Sequence, residues 1–560
     1  MEQGYKKYVP FQQIKMESRD WPNNTITKAP IWCSVDLRDG NQALITPMNL
    51  EQKLEFFHAL CEMGFKEIEI GFPSASETEY EICRELIEGN HIPDDVTIQV
   101  LVQAREHLIR KTFEAVKGAK NVIVHFYNST STLQRKVVFK KDMDGIIDIA
   151  VEGAKLIKEL IDSYDGDTNF RLEYSPESFS GTEVDYSVRI CEAVMDVVKP
   201  TPENPIILNL PNTVEMCTPN TYADQVEYFI KHLKNRESAI ISLHPHNDRG
   251  TGVAGAELGL LAGADRIEGT LFGNGERTGN LDIITVGLNM YTQGVDPKLD
   301  FSDLPKYCEI YERCTNMKIG ERQPYVGELV FTAFSGSHQD AISKGFKYVK
   351  ETNSDKWEIP YLPIDPADVG RKYEVVRINS QSGKGGAAFI MQNKFGYEIP
   401  KAMQPEFGKL VKAECDKLGR ELSPDDLMEL FNRNYIDIEQ KIWLVKHVIT
   451  NRGQDEASFR GVVHLVKEDK DLEIYGEGNG PIDAFMKALK TVGIDFTVVN
   501  YSEHSISQGS DSKAISYIQM KDPNGKTVFG VGISHGIFKA SARGILCAVN
   551  RSDYDIKFIV

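Results

Sequence analysis

Ser242-Leu243-His244-Pro245-His246-Asn247-Asp248 closes an apolar, β-branched run that begins at Ala239, and a helix-like stretch from Val253 to Ala262 follows it. On an extended segment, residues two apart project from the same side, so His244 and His246 face one way. Together they form a pincer for one divalent ion. Imidazole suits Zn, Mn, Co or Fe, and a carboxylate such as Asp39, in Leu37-Arg38-Asp39-Gly40-Asn41-Gln42, would complete an N,N,O set with open positions. Taken alone, His-x-His is equally the mark of ordinary hydrogen-bonded or surface histidines. The surrounding chain has to decide between the two readings.

Working outward, the same run-then-helix unit recurs. Strand-like runs are predicted at Ile31 to Leu37, Glu67 to Phe72, Val96 to Val102, Asn121 to Tyr127, Phe170 to Ser175, Ile206 to Leu210, Ala239 to His246 and Arg266 to Phe272. Between and after them, apolar spacings of three and four predict helices at Leu50 to Met63, Glu77 to Glu88, Arg105 to Lys117, Val137 to Leu160, Val184 to Val198, Thr221 to Lys234, Val253 to Ala262 and Leu281 to Met290. Strict alternation implies parallel strands joined by crossovers, and eight units in this length match a (β/α)8 TIM barrel. An open doubly wound sheet is the structural alternative. The barrel places active residues on the loops after the strands. Out-of-place polar residues gather at those ends: Arg38, Asp39 and Gln42; His125; Ser175 and Glu177; Asn212 and Thr213; His244 and His246; and Gly273-Asn274-Gly275-Glu276.

The remainder divides into further segments. Residues 1–30, with Pro10, Trp21, Pro22 and Pro30, read as an arm lying on something else, and residues 31–300 as the barrel. Residues 301–430 read as a helical connector, with a Pro-rich passage from Ile359 to Pro366 and a Gly-rich run from Asn379 to Gly386 that lacks P-loop spacing. From 431 to 560 the pattern changes to α+β. Three strand-like runs lead through Gly476-Glu477-Gly478 into a helix at Ile482 to Val492. Three more lead through Gly530-Val531-Gly532 into a helix at Phe538 to Val549. The two Gly-x-Gly copies lie 54 residues apart, the signature of an internal ββ(β)α duplication suited to ligand sensing or dimerisation.

Composition narrows the function. With 41% hydrophobic and 26% charged residues, the 560-residue chain has the make-up of a soluble globular protein, and no apolar run reaches a membrane span. A formal net charge of -18 argues against nucleic-acid binding. Nine scattered cysteines with no CxxC pair, and no signal-peptide pattern, predict a reducing cytoplasmic setting.

The assembled motifs resemble the long-form 2-isopropylmalate synthase family, within the wider group of metal-dependent barrel enzymes that condense or cleave acyl-CoA and oxo acids. They are Asp36-Leu37-Arg38-Asp39-Gly40-Asn41-Gln42, His125-Phe126-Tyr127-Asn128-Ser129-Thr130-Ser131, Glu173-Tyr174-Ser175-Pro176-Glu177, Leu210-Pro211-Asn212-Thr213, His244-Pro245-His246-Asn247-Asp248, Gly273-Asn274-Gly275-Glu276-Arg277-Thr278-Gly279-Asn280 and Ser335-Gly336-Ser337-His338-Gln339-Asp340. The resemblance covers nearly the whole chain. It implies condensation of acetyl-CoA, as co-substrate, with 3-methyl-2-oxobutanoate and water to give 2-isopropylmalate and CoA, the committed step of leucine biosynthesis. It also implies a divalent ion (Mg, Mn or Zn) on Asp39, His244 and His246, with Asn280 as a further ligand. Arg38 would stabilise the developing alkoxide, Glu177 would act as base, and His338 and Tyr373 would assist, His338 in the connector facing the barrel of its own or a partner subunit. Gln42, His125, Ser175 and Thr213 would line the oxo-acid pocket, with Asn274, Gly275 and Glu276 at the CoA-side mouth. Leucine would act as effector near Gly476, Gly478 and Tyr501, in a homodimer. The alternatives are a citramalate or homocitrate synthase, a lyase of the same group and, from another class, a leucine-responsive binding protein on an inactive barrel; a metal-dependent hydrolase leaves the connector and duplicated module unexplained.

Overall fold

A computed structural model describes residues 4–373, 384–451, 456–506, 509 and 511–559. The Asn379–Gly383 part of the Gly-rich run lies outside them. The chain divides into two compact units, residues 1–330 with 364–372, and residues 331–363 with 373–560.

The first unit is a closed barrel of eight parallel strands in sequence order: β1 (Ile31–Ser34), β2 (Glu67–Gly71), β3 (Thr97–Gln103), β4 (Asn121–Ser129), β5 (Asn169–Glu177), β6 (Ile206–Asn212), β7 (Ala239–Pro245) and β8 (Arg266–Gly269). Pairing of β1 with β8, from Ile31↔Arg266 to Ser34↔Gly269, closes it and excludes the open doubly wound sheet. The helices are α1 (Leu50–Met63), α2 (Glu77–Glu88), α3 (Glu106–Ala115), α4 (Met143–Asp162), α5 (Val184–Val198), α6 (Pro219–His232), α7 (Gly252–Leu261) and α8 (Ile283–Tyr291). Side-chain caps start several of them: Asn49 accepts from Gln52 N in a full capping box, and Gly64 ends α1 in the left-handed region. The run predicted from Val137 to Leu160 instead begins its helix at Met143, because Asp142 caps there by accepting from Gly145 N. The last strand is also shorter than predicted. After Gly269 the chain turns at Phe272, which has φ 59°, into the Gly-rich loop.

The arm is ordered against α6. Arg19 Nη2 donates to Asp224 Oδ2 at 2.9 Å, Trp21 Nε1 to Asp224 Oδ1 at 2.9 Å, and the Asp20 amide to Glu227 at 2.9 Å. These bonds answer two carboxylates buried on that helix, which would otherwise be costly.

In the second unit, α10 (Gly336–Thr352), α11 (Lys384–Phe395), α12 (Gln404–Leu418) and α13 (Pro424–Tyr435) precede two three-stranded antiparallel sheets, while α9 (Leu304–Thr315) belongs to the first unit. The sheets are β9 (Ile442–Asn451), β10 (Ala457–Leu465) and β11 (Lys470–Gly478), followed by α14 (Pro481–Lys490), and β12 (Thr497–Ser505), β13 (Ala514–Lys521) and β14 (Thr527–Ser534), followed by α15 (Ile537–Arg551). The duplication is therefore βββα. Helices α11 to α13 share a core with the second sheet: Met391, Phe407, Phe431 and Tyr435 pack in one cluster with Tyr517, Phe529 and Val531.

The paired glycines have a packing cause. A Cβ on Gly476 would stand 2.3 Å from Ala484 O, and one on Gly532 would stand 2.1 Å from Ala540 O, so each helix lies on strand backbone. Gly532→Ala is expected to cost about 1–3 kcal/mol, because backbone and not a flexible side chain must yield. A lowered urea midpoint would register it.

Candidate active site

Arg38 and Asp39 sit in a single wide turn, Asp36–Gly40, directly after β1, closed by Gly40 N donating to Val35 O at 3.1 Å. Such π-type turns are rare and collect at functional sites. Asp36 anchors this one by accepting from Ser34 Oγ (2.8 Å) and from Leu271 N (3.0 Å) beyond β8. His244 and His246 end β7 with side chains on one side. Asp39, His244 and His246 are buried, with one ligand atom of each within 4.8 Å of the others. His244 Nε2 and His246 Nε2 lie 3.5 and 3.8 Å from Asp39 Oδ2. Donors sharing an ion at about 2.1 Å stand roughly 3–3.4 Å apart, so small movements suffice to close the set.

Asn280 joins them through main-chain pairing. It bridges His246 in antiparallel fashion, Leu281 N donates to Pro245 O at 2.9 Å, and Asn247 N donates to Gly279 O at 3.0 Å. Its Nδ2 donates to Asp39 Oδ2 at 2.8 Å, while its Oδ1 is buried without a hydrogen-bond partner among the described residues. An orphaned acceptor beside a carboxylate and two imidazoles is the chemistry of a cation site, and the residues present fit a divalent ion.

The electrostatics agree. Burial opposes the charge of Asp39, but Arg38 and the two histidines outweigh it and hold the carboxyl far below its usual range. Burial also opposes a charged His244, yet hydrogen bonds to Asp39 and Glu268 raise it to about 9. His246, desolvated and beside His244, falls to about 3 and is a neutral imidazole. Arg38 is a fixed cation, donating from Nη1 to Asp39 Oδ1 at 2.6 Å and from Nε to Glu69.

These groups open onto a cavity of about 270 Å3 that is also lined by Gln42, His125, Tyr127, Ser175, Glu177, Thr213 and Glu276. His125 Nε2 meets Ser175 Oγ at 2.7 Å, and Ser129 Oγ donates to the Glu177 carboxylate. Thr213 Oγ1 accepts from Ser178 N at 3.0 Å, and Gln42 Nε2 donates to Glu276 at 3.4 Å. Asn274 and Gly275 precede Glu276 in the Gly-rich loop after β8. Both line a separate cavity of about 210 Å3. Asn274 Nδ2 donates to Gly40 O at 3.0 Å, and Gly275 lies so near Asn280 that a Cβ would be 2.4 Å from its Nδ2. They shape the loop, and neither is among the residues that line the main cavity.

His338 and Tyr373 belong to the second unit. The His338 ring stacks on Tyr361 with centroids 3.9 Å apart, and the Tyr373 hydroxyl is buried without a hydrogen-bond partner among the described residues. Of the three effector candidates, Gly476 and Gly478 face α14, and Tyr501 is 51% exposed.

Sequence reading missed the floor of the site. Glu67 and Glu69 on β2, Gln99 on β3, Glu173 on β5, Asn209 on β6, and Arg266 and Glu268 on β8 are buried inside the barrel. The signal was present: charges two apart within fully buried strands must share the interior face. Arg266 donates to Glu67 (2.6 Å), Glu268 (2.9 Å), Ser242 (2.8 Å) and Gln99 (2.7 Å).

A closed parallel barrel with an Asp-His-His cluster at its C-terminal mouth defines a barrel enzyme of the HMGL-like class, and the family model of that description matches residues 29–310. Models described as "Alpha-isopropylmalate synthase, post-catalytic domain-like" and "LeuA allosteric (dimerisation) domain" match residues 328–392 and 421–552. The chain belongs to the 2-isopropylmalate synthase family, and it is an enzyme of the transferase type. Proteins of that name from Clostridium acetobutylicum (56% identical, 98% of this chain and 99% of the other) and Rhodospirillum rubrum (53%, 97% and 98%) match nearly end to end. One from Brucella suis is 55% identical, with 97% of this chain and 98% of the other covered. Among the described residues no helix is long and apolar enough to cross a membrane, and none of the nine cysteines forms a disulfide.

Proposed function

We propose that this chain condenses acetyl-CoA with 3-methyl-2-oxobutanoate and water, releasing 2-isopropylmalate and CoA, as a cytoplasmic homodimer inhibited by leucine. The observation that carries the reading is the convergence of Asp39, His244, His246, Arg38 and Glu177 on one cavity, in a chain alike to its relatives from end to end. Asp39, His244 and His246, with Asn280, would hold a divalent ion (Mg, Mn or Zn), which when bound would supply Lewis-acid polarisation of the oxo acid's ketone. Arg38, charged and pinned between Asp39 and Glu69, faces the oxygen that gains charge as the ketone becomes an alkoxide. Glu177 takes a proton from the acetyl methyl, and the carbanion attacks the ketone carbon. Water then cleaves the thioester, leaving a carboxylate and CoA thiol. His125, Ser175, Thr213 and Gln42 orient the oxo acid and Glu276 borders the CoA side; assisting roles for His338 and Tyr373 are carried over from the family resemblance.

Glu177→Gln keeps the shape and removes the base, so turnover is expected to fall about 100- to 10,000-fold with little change in oxo-acid KM. Near-normal turnover would move the base elsewhere. The reading as a whole is tested by following CoA release with pyruvate, 3-methyl-2-oxobutanoate and 2-oxoglutarate, each with and without leucine. Preference for 3-methyl-2-oxobutanoate, suppressed by leucine, is expected. Preference for pyruvate or 2-oxoglutarate would make the chain a citramalate or homocitrate synthase instead. The effector is assigned to the C-terminal module, where Tyr501 offers an exposed side chain. Full-length protein is needed for this assay, because a cut near residue 430 would split the shared core of α11 to α13 and the second sheet.

A further inference from the structure

We propose that Glu268 is a positioning residue that fixes the His244 ring so that Nε2, and not Nδ1, is presented beside Asp39 and His246. The inference rests on the reading of Asp39, His244 and His246 as a cation site. Glu268 is fully buried on β8, and three donors besides His244 meet its oxygens. Oε2 lies 2.8 Å from His244 Nδ1 and accepts from Asn209 Nδ2 at 3.2 Å. Oε1 accepts from Gln99 Nε2 and from Arg266 Nη1, both at 2.9 Å. With the Arg266 guanidinium on one oxygen and the Gln99 and Asn209 amides donating as well, the carboxylate is held ionised and has no proton to give His244. His244 must therefore be the donor at Nδ1, which leaves Nε2 facing Asp39, 3.5 Å from Oδ2, as the nitrogen that gives up its proton when an ion binds.

The neighbouring histidine is not set this way. His246 Nδ1 is buried with no hydrogen-bond partner among the described residues. The tautomer of the pair is thus specified at one ring only, from a strand that supplies no ligand itself. Glu268 is not adjustable, because the Arg266 and Gln99 that grip its other oxygen are themselves fully buried.

In Glu268→Gln one oxygen becomes an amide NH2 that points either at Arg266 and Gln99 or at His244 and Asn209. The first choice sets donors against a buried guanidinium. The second turns His244 Nδ1 into an acceptor and moves its hydrogen to Nε2, where a ligand lone pair is needed. Either way the mutant is expected to bind Zn2+ about 10- to 100-fold more weakly than the wild type in competition with a chromophoric chelator. Side-chain 15N spectra of histidine-labelled, Zn2+-loaded wild type should show His244 protonated at Nδ1 and ligated through Nε2, and this measurement decides the matter if the mutant does not fold. Unchanged Zn2+ affinity in folded Glu268→Gln would overturn the proposal, as would ligation of wild-type His244 through Nδ1. So would a second Zn2+ equivalent lost in the mutant while the first is untouched, since that would make Glu268 a ligand together with His125 and Glu173. His246→Ala with wild-type Zn2+ affinity would instead remove the cation site on which the proposal stands.

Discussion

Asp39→Asn is expected to lower kcat/KM about 1,000-fold or more and to yield protein that purifies without its divalent ion. The amide occupies the same volume, so the fold has little reason to change. What disappears is the one negative charge that both histidines face and that neutralises Arg38 at 2.6 Å. Loss of Lewis-acid polarisation is worth several kcal/mol, and about 4 kcal/mol corresponds to that thousandfold. Arg38 would also be freed from one of its two carboxylates and could swing toward the substrate's own carboxylate. Metal analysis alongside kinetics separates the causes: full metal content with poor turnover would shift the blame from the ion to Arg38.

Arg266→Met is expected to be the most damaging substitution for stability. The side chain fits, but Glu67, Glu173 and Glu268 are left in the barrel interior without their common cation. Breaking a buried ion pair from one side typically costs about 3–5 kcal/mol, a large share of the roughly 5–15 kcal/mol that holds a domain folded. The expected result is a steep loss of soluble protein and of the urea midpoint. The network already shows one way to escape such charge: burial and the nearby Glu268 push the Glu173 carboxyl well above its ordinary range, which favours its neutral form. A midpoint that hardly moves would mean that protons on the remaining carboxylates can replace the guanidinium.

The parts of this molecule that could be read in advance are those whose cause is local. Eight alternations of run and helix announce a barrel because each unit carries its own periodicity, and the polar residues at strand ends stand out against apolar runs. His244 and His246 gained meaning from that order, since β8 alone separates β7 from β1 in the closed sheet. The floor was harder. Glu69, Gln99 and Glu268 lie inside strands, and their roles arise from partners on five different strands that no spacing connects. The Gly-x-Gly pairs have a cause that the sequence alone did not display. They look like ligand loops, whereas the short distances to Ala484 and Ala540 show that they admit a helix.

The main-chain pairing of His246 with Asn280 ties the Gly-rich loop to the chemistry through length. The loop leaves β8 at Gly269 and must return Asn280 opposite His246 in antiparallel register, with Leu281 bonded to Pro245. A register slip of one residue turns every side chain to the other face. Insertion or deletion of a single residue between Gly273 and Asn280 would therefore place a different residue opposite His246, so that the length of this loop, as much as the identity of its amino acids, decides what stands beside Asp39.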